Sequence, residues 1–150
     1  MSVFDRQEFH ARLARVKARM AQAGIDVLIA ADPANINYLT GYDGWSFYVH
    51  QYAVLRLDAD EPLWVGRAMD APGARMTAFL DPANIIAYPE TYVDSDVLHP
   101  AQFLVRTLRE SGCGSARIGT DFDTFYFTAK DYLELVRELP NAHVVDAKVL

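Results

Sequence analysis

Apolar residues recur along this chain in two periods, and the switches between them outline its architecture. From Phe4 to Ala23, Phe9, Leu13, Val16 and Met20 stand four, three and four residues apart, which is one stripe of a helix. Ser2 with Asp5 suits a capping box at its start, and Gly24 a stop. Arg12, Arg15, Lys17 and Arg19 fill the other faces and read as a solvated basic surface. The next run, D-V-L-I-A-A from Asp26 to Ala31, is too short for a helix and reads as a buried strand. Asp32-Pro33 ends it and opens a short helix, with Asp32 as N-cap and Pro33 as first helical residue, that runs to about Leu39 and stops at Gly41.

Residues Ser46 to Leu57 alternate imperfectly but are rich in aromatic and β-branched types, which predicts a long strand. Beyond turn residues Asp58 to Pro62, L-W-V-G is its hairpin partner. A helix is expected over Ala68 to Leu80 with Met69, Met76 and Leu80 on one face, interrupted near its start by Pro72 and Gly73. Asn84 to Tyr88 is a short strand, and Pro89 to Asp96 an acidic surface loop. Pro100 opens a helix whose Phe103, Leu104 and Leu108 face inward and which ends at Ser111-Gly112. A strand from Ala116 to Thr120 leads through D-F-D-T-F-Y-F to a helix carrying Tyr132, Leu133, Val136 and Leu139, begun by a Thr128–Asp131 capping box and stopped at Pro140. His143 to Asp146 is the last strand. This alternation specifies an α/β domain: a mixed sheet of about six strands flanked by helices, with the hairpin supplying antiparallel pairing and the later crossovers parallel pairing.

Composition narrows what such a domain does. At 150 residues, 51% hydrophobic and 23% charged, the chain suits one domain with one core. A formal charge of -6 speaks against a nucleic-acid partner, whose phosphates call for Lys and Arg. No apolar run approaches the ~20 residues that cross a bilayer, and the N-terminus lacks the apolar core of a signal peptide, so a cytoplasmic protein without a membrane partner is expected. Cys113 is the single cysteine, which leaves no internal disulfide and no cysteine-rich metal site; between Gly112 and Gly114 it reads as a turn residue. His10, His50, His99 and His143 are scattered, with no H-E-x-x-H, so a zinc site built from this chain alone is not expected. His10 reads as exposed, His99 as a cap ahead of Pro100 and His143 as a strand start. There is no G-x-S-x-G, G-x-G-x-x-G or Walker pattern, so neither a serine nucleophile nor a nucleotide cradle is supported. Asp121 and Asp123 read as turn residues.

The stretch from Asp32 to Tyr52 is the part least explained as scaffolding. Tyr42, Trp45, Phe47, Tyr48 and Tyr52 crowd it around His50, more aromatic surface than one strand needs to fill a core. On an alternating strand one face packs inward while the other is offered to a ligand or partner; ordinary core and edge packing is the competing reading.

The residues G-I-D-V-L-I-A-A-D-P-A-N-I-N-Y-L-T-G-Y resemble the N-terminal domain of the creatinase, prolidase and aminopeptidase P superfamily, where "G-x-D-x-L … N-I-x-Y-hydrophobic-[ST]-G" marks the first strand and the short helix after it. The resemblance continues through I-G-T-D-F, the aromatic run ending F-T and the closing V-V-D-A, and so spans essentially the whole chain. Y-D-G-W-S-F-Y-V-H-Q and G-R-A-M-D-A-P-G-A, Gly66 to Ala74, look most like the branch that includes ectoine hydrolase.

The resemblance implies a ribonuclease H-like fold for residues 1–150. In the family a C-terminal "pita-bread" catalytic domain follows, in which two Asp, one His and two Glu bind a pair of divalent metals (Mn, Co or Zn), creatinase excepted. This chain ends at V-V-D-A-K-V-L, where the linker helix would begin, so the catalytic domain, its metals and all catalytic residues are expected outside it. The domain itself is then expected to bind no cofactor and to be inactive alone. Family members are homodimers whose N-terminal domains close the neighbouring subunit's pocket with the strand after N-Y-x-[ST]-G. Here that strand is Trp45 to Tyr52, so Phe47, Tyr48 and His50, with Trp45 and Tyr42 beside them, are the candidate substrate wall, His50 donating a hydrogen bond. The arginine with which creatinase grips a substrate carboxylate is matched by Val49, a departure that speaks against direct carboxylate binding. Arg67 and Asp70 are weaker candidates, otherwise an ion pair and a helix cap. The parent reaction would be hydrolysis of a small C–N bond: a Xaa-Pro peptide, creatine, or an ectoine-like ring amidine. Two other classes compete. A freestanding α/β module would use the same aromatic face for a small ligand. A ribonuclease H-type nuclease needs carboxylates converging at strand ends, and the acidic charge with no basic cluster near Asp121 weighs against it.

Overall fold

The computed structural model describes residues 4–148 and 150. Helix α1 (Arg6–Ala23) starts where the Asp5 side chain accepts a hydrogen bond from the Glu8 amide and ends at Gly24, whose φ of 65° is the left-handed conformation glycine tolerates. The expected partner in that cap, Ser2, lies outside the described residues. Strand β1 (Val27–Ala30) is followed by α2 (Pro33–Thr40), whose N-cap Asp32 accepts from the amides of Ala34 and Asn35. The chain continues through β2 (Tyr52–Arg56), β3 (Leu63–Arg67), α3 (Ala71–Thr77), β4 (Ile85–Tyr88), α4 (Pro100–Glu110), β5 (Arg117–Thr120), α5 (Ala129–Glu138) and β6 (His143–Asp146).

The six strands form one sheet in the order β4-β3-β2-β1-β5-β6. Strand β2 pairs antiparallel with β1 and β3, while β3–β4, β1–β5 and β5–β6 are parallel. This is the mixed α/β sheet the sequence pattern specifies. Strand alternation sorts the core into two layers. Ala53 and Leu55 of β2, with Trp64 of β3, pack on α1, α2 and α3 through Phe9, Leu13, Ile36, Leu39 and Ala74. Tyr52 and Val54, with Val27 and Ile29, pack on α4 and α5 through Phe103, Leu104, Leu108 and Leu135. Central strands covered on both faces read as continuous apolar runs, as β1 and β2 do.

The carboxyl ends of β1, β3, β4, β5 and β6 share one edge of the sheet with the start of β2. Three connections cross there: residues 42–51, 89–99 and 121–128. The edge outside carboxyl strand ends is where α/β sheets bind ligands.

Several elements differ from the sequence pattern. The long strand expected from Ser46 begins only at Tyr52. Ala53 pairs with Ala30, and beyond Ala30 the partner strand turns away into the Pro33 helix, so residues 46–51 have no β1 backbone to bond. Helix α3 is shorter than expected; Pro72 sits in its first turn and starts it, and it buries Ala71 and Ala74 while Met69 and Met76 are exposed. Arg12 is not on a solvated face. It is buried, its guanidinium 4.2 Å from the Phe4 ring centroid and 4.9 Å from that of Tyr38, with Nε donating to Glu8 at 2.9 Å. Helix α5 buries Asp131, Glu134 and Leu135, and leaves Tyr132, Leu133 and Val136 exposed. No helix among the described residues is long and apolar enough to cross a membrane.

Candidate functional site

The connection from Tyr42 to Gln51 is fastened at both ends and open in the middle. At its start Tyr42 is buried, its ring against Trp64 with centroids 5.2 Å apart, and Gln51 donates to the Tyr42 hydroxyl at 3.3 Å and to Asp70 Oδ2 at 3.1 Å. Near its end Val49 is buried in the α4–α5 layer, and the Tyr88 hydroxyl donates to the His50 carbonyl at 2.6 Å. Between these anchors Trp45, Phe47 and Tyr48 are 62%, 77% and 61% exposed. The Trp45 indole donates to the Tyr126 hydroxyl at 2.9 Å, and Phe125 beside it is 97% exposed. Phe47, Tyr48, His50, Phe125 and Tyr126 line a recess of about 210 Å³.

Beneath this loop lies a polar cluster. Asp131 follows the Thr128 cap of α5: its Oδ2 accepts from the Thr128 amide at 2.6 Å and the Thr128 hydroxyl at 2.7 Å, and its Oδ1 from the Tyr52 hydroxyl at 2.5 Å. His50 Nε2 is 3.3 Å from Asp131 Oδ2, without hydrogen-bond alignment. Burial pushes the Asp131 carboxyl up, but His50 and the bonds from Tyr52 and Thr128 outweigh it and hold the group below the ordinary carboxylate range. Burial, with the charge of Asp131 adding to it, pushes the Tyr52 phenol well up. The His99 ring meets His50 edge-on with centroids 4.8 Å apart, while its Nδ1 accepts from the Ala101 amide at 3.1 Å as the N-cap of α4. Burial pushes the His99 imidazole below its usual value, with Asp131 opposing. A second recess, of about 150 Å³, runs between Tyr48, His50, Tyr92 and His99.

Of the residues singled out from sequence, Trp45, Phe47 and Tyr48 share the exposed loop, His50 turns beneath it, and Tyr42 serves the core. Arg67 forms the expected ion pair, with Glu90 at 3.0 Å; the neighbouring Tyr48, then Glu90, raise its guanidinium above its ordinary value against the opposing effect of burial. Asp70 occupies the N-cap position of α3 but makes no capping bond, and holds Gln51 instead. His99 caps α4 as read from sequence. Its approach to His50, and the whole part of Asp131, were missed: the Thr128–Asp131 spacing was visible, but only as a cap. Asp121 and Asp123 form a turn, the Asp123 amide donating to Asp121 at 2.9 Å.

The profile of the Creatinase/Prolidase N-terminal domain matches residues 12–150, and the chain belongs to that family. Among its relatives it is 49% identical over 148 residues to the ectoine hydrolase of Halomonas elongata, covering 98% of this chain and 37% of that one. It is 44% identical over 147 residues to an uncharacterised hydrolase/peptidase of Sinorhizobium fredii, covering 98% of this chain and 38% of that one. Among solved structures, the creatinase/prolidase N-terminal domain of an X-Pro dipeptidase from Streptococcus pyogenes superposes with a TM-score of 0.71 at 20% identity, covering 93% of this chain and 95% of that one. The N-terminal domain of the cytoplasmic peptidase PepQ from Mycobacterium tuberculosis gives 0.67 at 21% identity, covering 92% and 93%. The chain thus spans little more than a third of the length of the curated relatives.

Proposed function

We propose that this domain serves a hydrolase of small C–N bonds, joined to a C-terminal catalytic domain, and that in a homodimer its 45–50 loop walls the neighbouring subunit's substrate pocket. The observation that carries the reading is the exposure of Phe47 and Tyr48 on a loop fastened at both ends. Large rings held into water without a cover favour a partner surface that removes them from it. In the pocket they exclude water, which strengthens every electrostatic contact around the reacting bond. His50 turns Nε2 inward to Asp131, so the hydrogen bond it offers substrate comes from Nδ1. Val49, where creatinase carries its arginine, is buried and contributes packing alone. A pair of divalent ions (Mn, Co or Zn) in the catalytic domain would activate water and polarise the bond.

The ring amidine of an ectoine-like compound is the favoured substrate, since the likeness to ectoine hydrolase is 49% over 98% of the chain. The Xaa-Pro dipeptidases share the fold at about a fifth identity, so a Xaa-Pro peptide is the second reading. A cytoplasmic location goes with both, as for PepQ. Kinetics of the complete enzyme test this: His50→Ala and Tyr48→Phe raise KM or lower kcat for ectoine, and unchanged kinetics contradict the role given to this loop.

A further inference from the structure

We propose that His50, His99 and Asp131 form a binding site for one divalent transition-metal ion. One ring nitrogen of each histidine and a carboxylate oxygen of Asp131 lie within 4.8 Å of one another. They come from three separate segments: the loop before β2, the N-cap of α4 and the first turn of α5. The inference does not depend on the role of the loop in substrate binding.

Three observations point to a cation here. First, Asp131 is fully buried and its hydrogen-bond donors are the uncharged groups of Tyr52 and Thr128; among the described residues no Lys or Arg pairs with it, and the only ion-pair partner beside it is the His50 ring. A buried carboxylate calls for a positive counter-charge. Second, His50 Nε2 is buried, makes no hydrogen bond and stands 3.3 Å from Asp131 Oδ2. Two ligand atoms on a tetrahedral ion with bonds of about 2.0–2.1 Å are separated by about 3.3 Å. Third, two of the three ligands are already oriented from behind. The Ala101 amide holds His99 Nδ1 as an acceptor, which leaves Nε2 to coordinate, while Tyr52 and Thr128 fix the carboxylate. Such outer partners set the tautomer and aim of metal ligands. Drawing the widest pair together from 4.8 Å needs a movement of about 1.5 Å, within reach of a ring rotation.

Two imidazoles and one carboxylate suit Zn²⁺, Co²⁺, Ni²⁺ or Cu²⁺ rather than Mg²⁺ or Ca²⁺, which prefer oxygen ligands. The recess between Tyr48, His50 and His99 gives entry and room for a water as fourth ligand. A bound ion would clip the aromatic loop to α4 and α5. Coordination through Nε2 also leaves the His50 proton on Nδ1.

Domains of matching length from relatives have been solved as separate chains, so the test uses the 150-residue chain stripped with chelator. Zn²⁺ binding by calorimetry and Co²⁺ binding by visible spectroscopy are expected at one ion per chain, with the cobalt bands of a four- or five-coordinate nitrogen–oxygen site. His50→Gln and His99→Asn each weaken binding at least tenfold; Asn retains the helix cap that His99 supplies, and circular dichroism confirms that both variants fold. Replacing His10 and His143 together changes nothing. Absence of stoichiometric binding by the folded chain, or binding that survives either substitution undiminished, overturns the site.

Discussion

The Tyr52 hydroxyl donates a 2.5 Å hydrogen bond to Asp131 with both residues fully buried, joining the first residue of β2 to the first turn of α5. The bond crosses between sheet and helix at the edge where the aromatic loop enters the fold. Tyr52→Phe keeps the ring and removes one donor from a buried carboxylate, so it should cost about 1–3 kcal/mol in urea unfolding. With Asp131→Asn in a double-mutant cycle the pair should show coupling of about 0.5–3 kcal/mol. A Tyr52→Phe protein as stable as the original contradicts the picture.

The orientation of α5 makes a sharper contrast. Leu135 is 0% exposed and Leu133 is 61% exposed. Leu135→Ala should therefore cost about 2–5 kcal/mol and Leu133→Ala less than about 0.5. Equal losses at the two positions would restore the helix face read from sequence.

That contrast shows where sequence reasoning stopped. Apolar periodicity marked the strands of the sheet and most of the buried face of α1, where Phe9, Leu13, Val16 and Met20 are apolar, and passed over Arg12, which is buried beside them. On α5 two of the buried positions are Asp131 and Glu134, which Tyr52, Thr128, Lys130 and Arg137 satisfy from outside the pattern. Thr128, Lys130 and Arg137 are neighbours on the same helix and only Tyr52 comes from elsewhere in the fold, and a hydropathy pattern registers neither kind of partner. The same holds for the candidate site. The aromatic loop stood out by composition, but its strand did not form, because its extent depended on where β1 turned away. His50 was noticed for its neighbours in sequence, while its neighbours in space, His99 and Asp131, come from elements far along the chain.

Two glycines in the sheet leave no space for a side chain. A Cβ at Gly119 would lie 2.8 Å from Ala147 Cβ and 2.9 Å from Ile25 Cδ1, and one at Gly66 would lie 2.4 Å from the buried Trp64 ring. Alanine at either should destabilise the domain by about 1–3 kcal/mol through overpacking. Gly114, with nothing within 4 Å, should accept alanine without measurable loss, and thermal unfolding of the three variants compares them.

Burial pushes the Cys113 thiol up, against the pull of Arg56. A raised folded value means that this group's contribution to stability is whole below the unfolded value of about 8.5 and lost as pH rises toward the folded one. The native chain should therefore lose stability above about pH 8.5 by a component that Cys113→Ala lacks. At pH 8 the thiol should react with a disulfide reagent more slowly than free cysteine, and unfolding should abolish the difference. Fast reaction in the native state would show that the side chain is not enclosed.

The role given to the 45–50 loop is a statement about two subunits, and mixed dimers test it most directly. One subunit of the complete enzyme carries Phe47→Ala with Tyr48→Ala; the other keeps the loop but has an inactivated catalytic domain. Each homodimer should be impaired. The mixed dimer should recover activity toward ectoine, because the intact loop of the inactive subunit completes the pocket of the active one. Activity in the mixture no greater than that of the two parent homodimers would contradict the account.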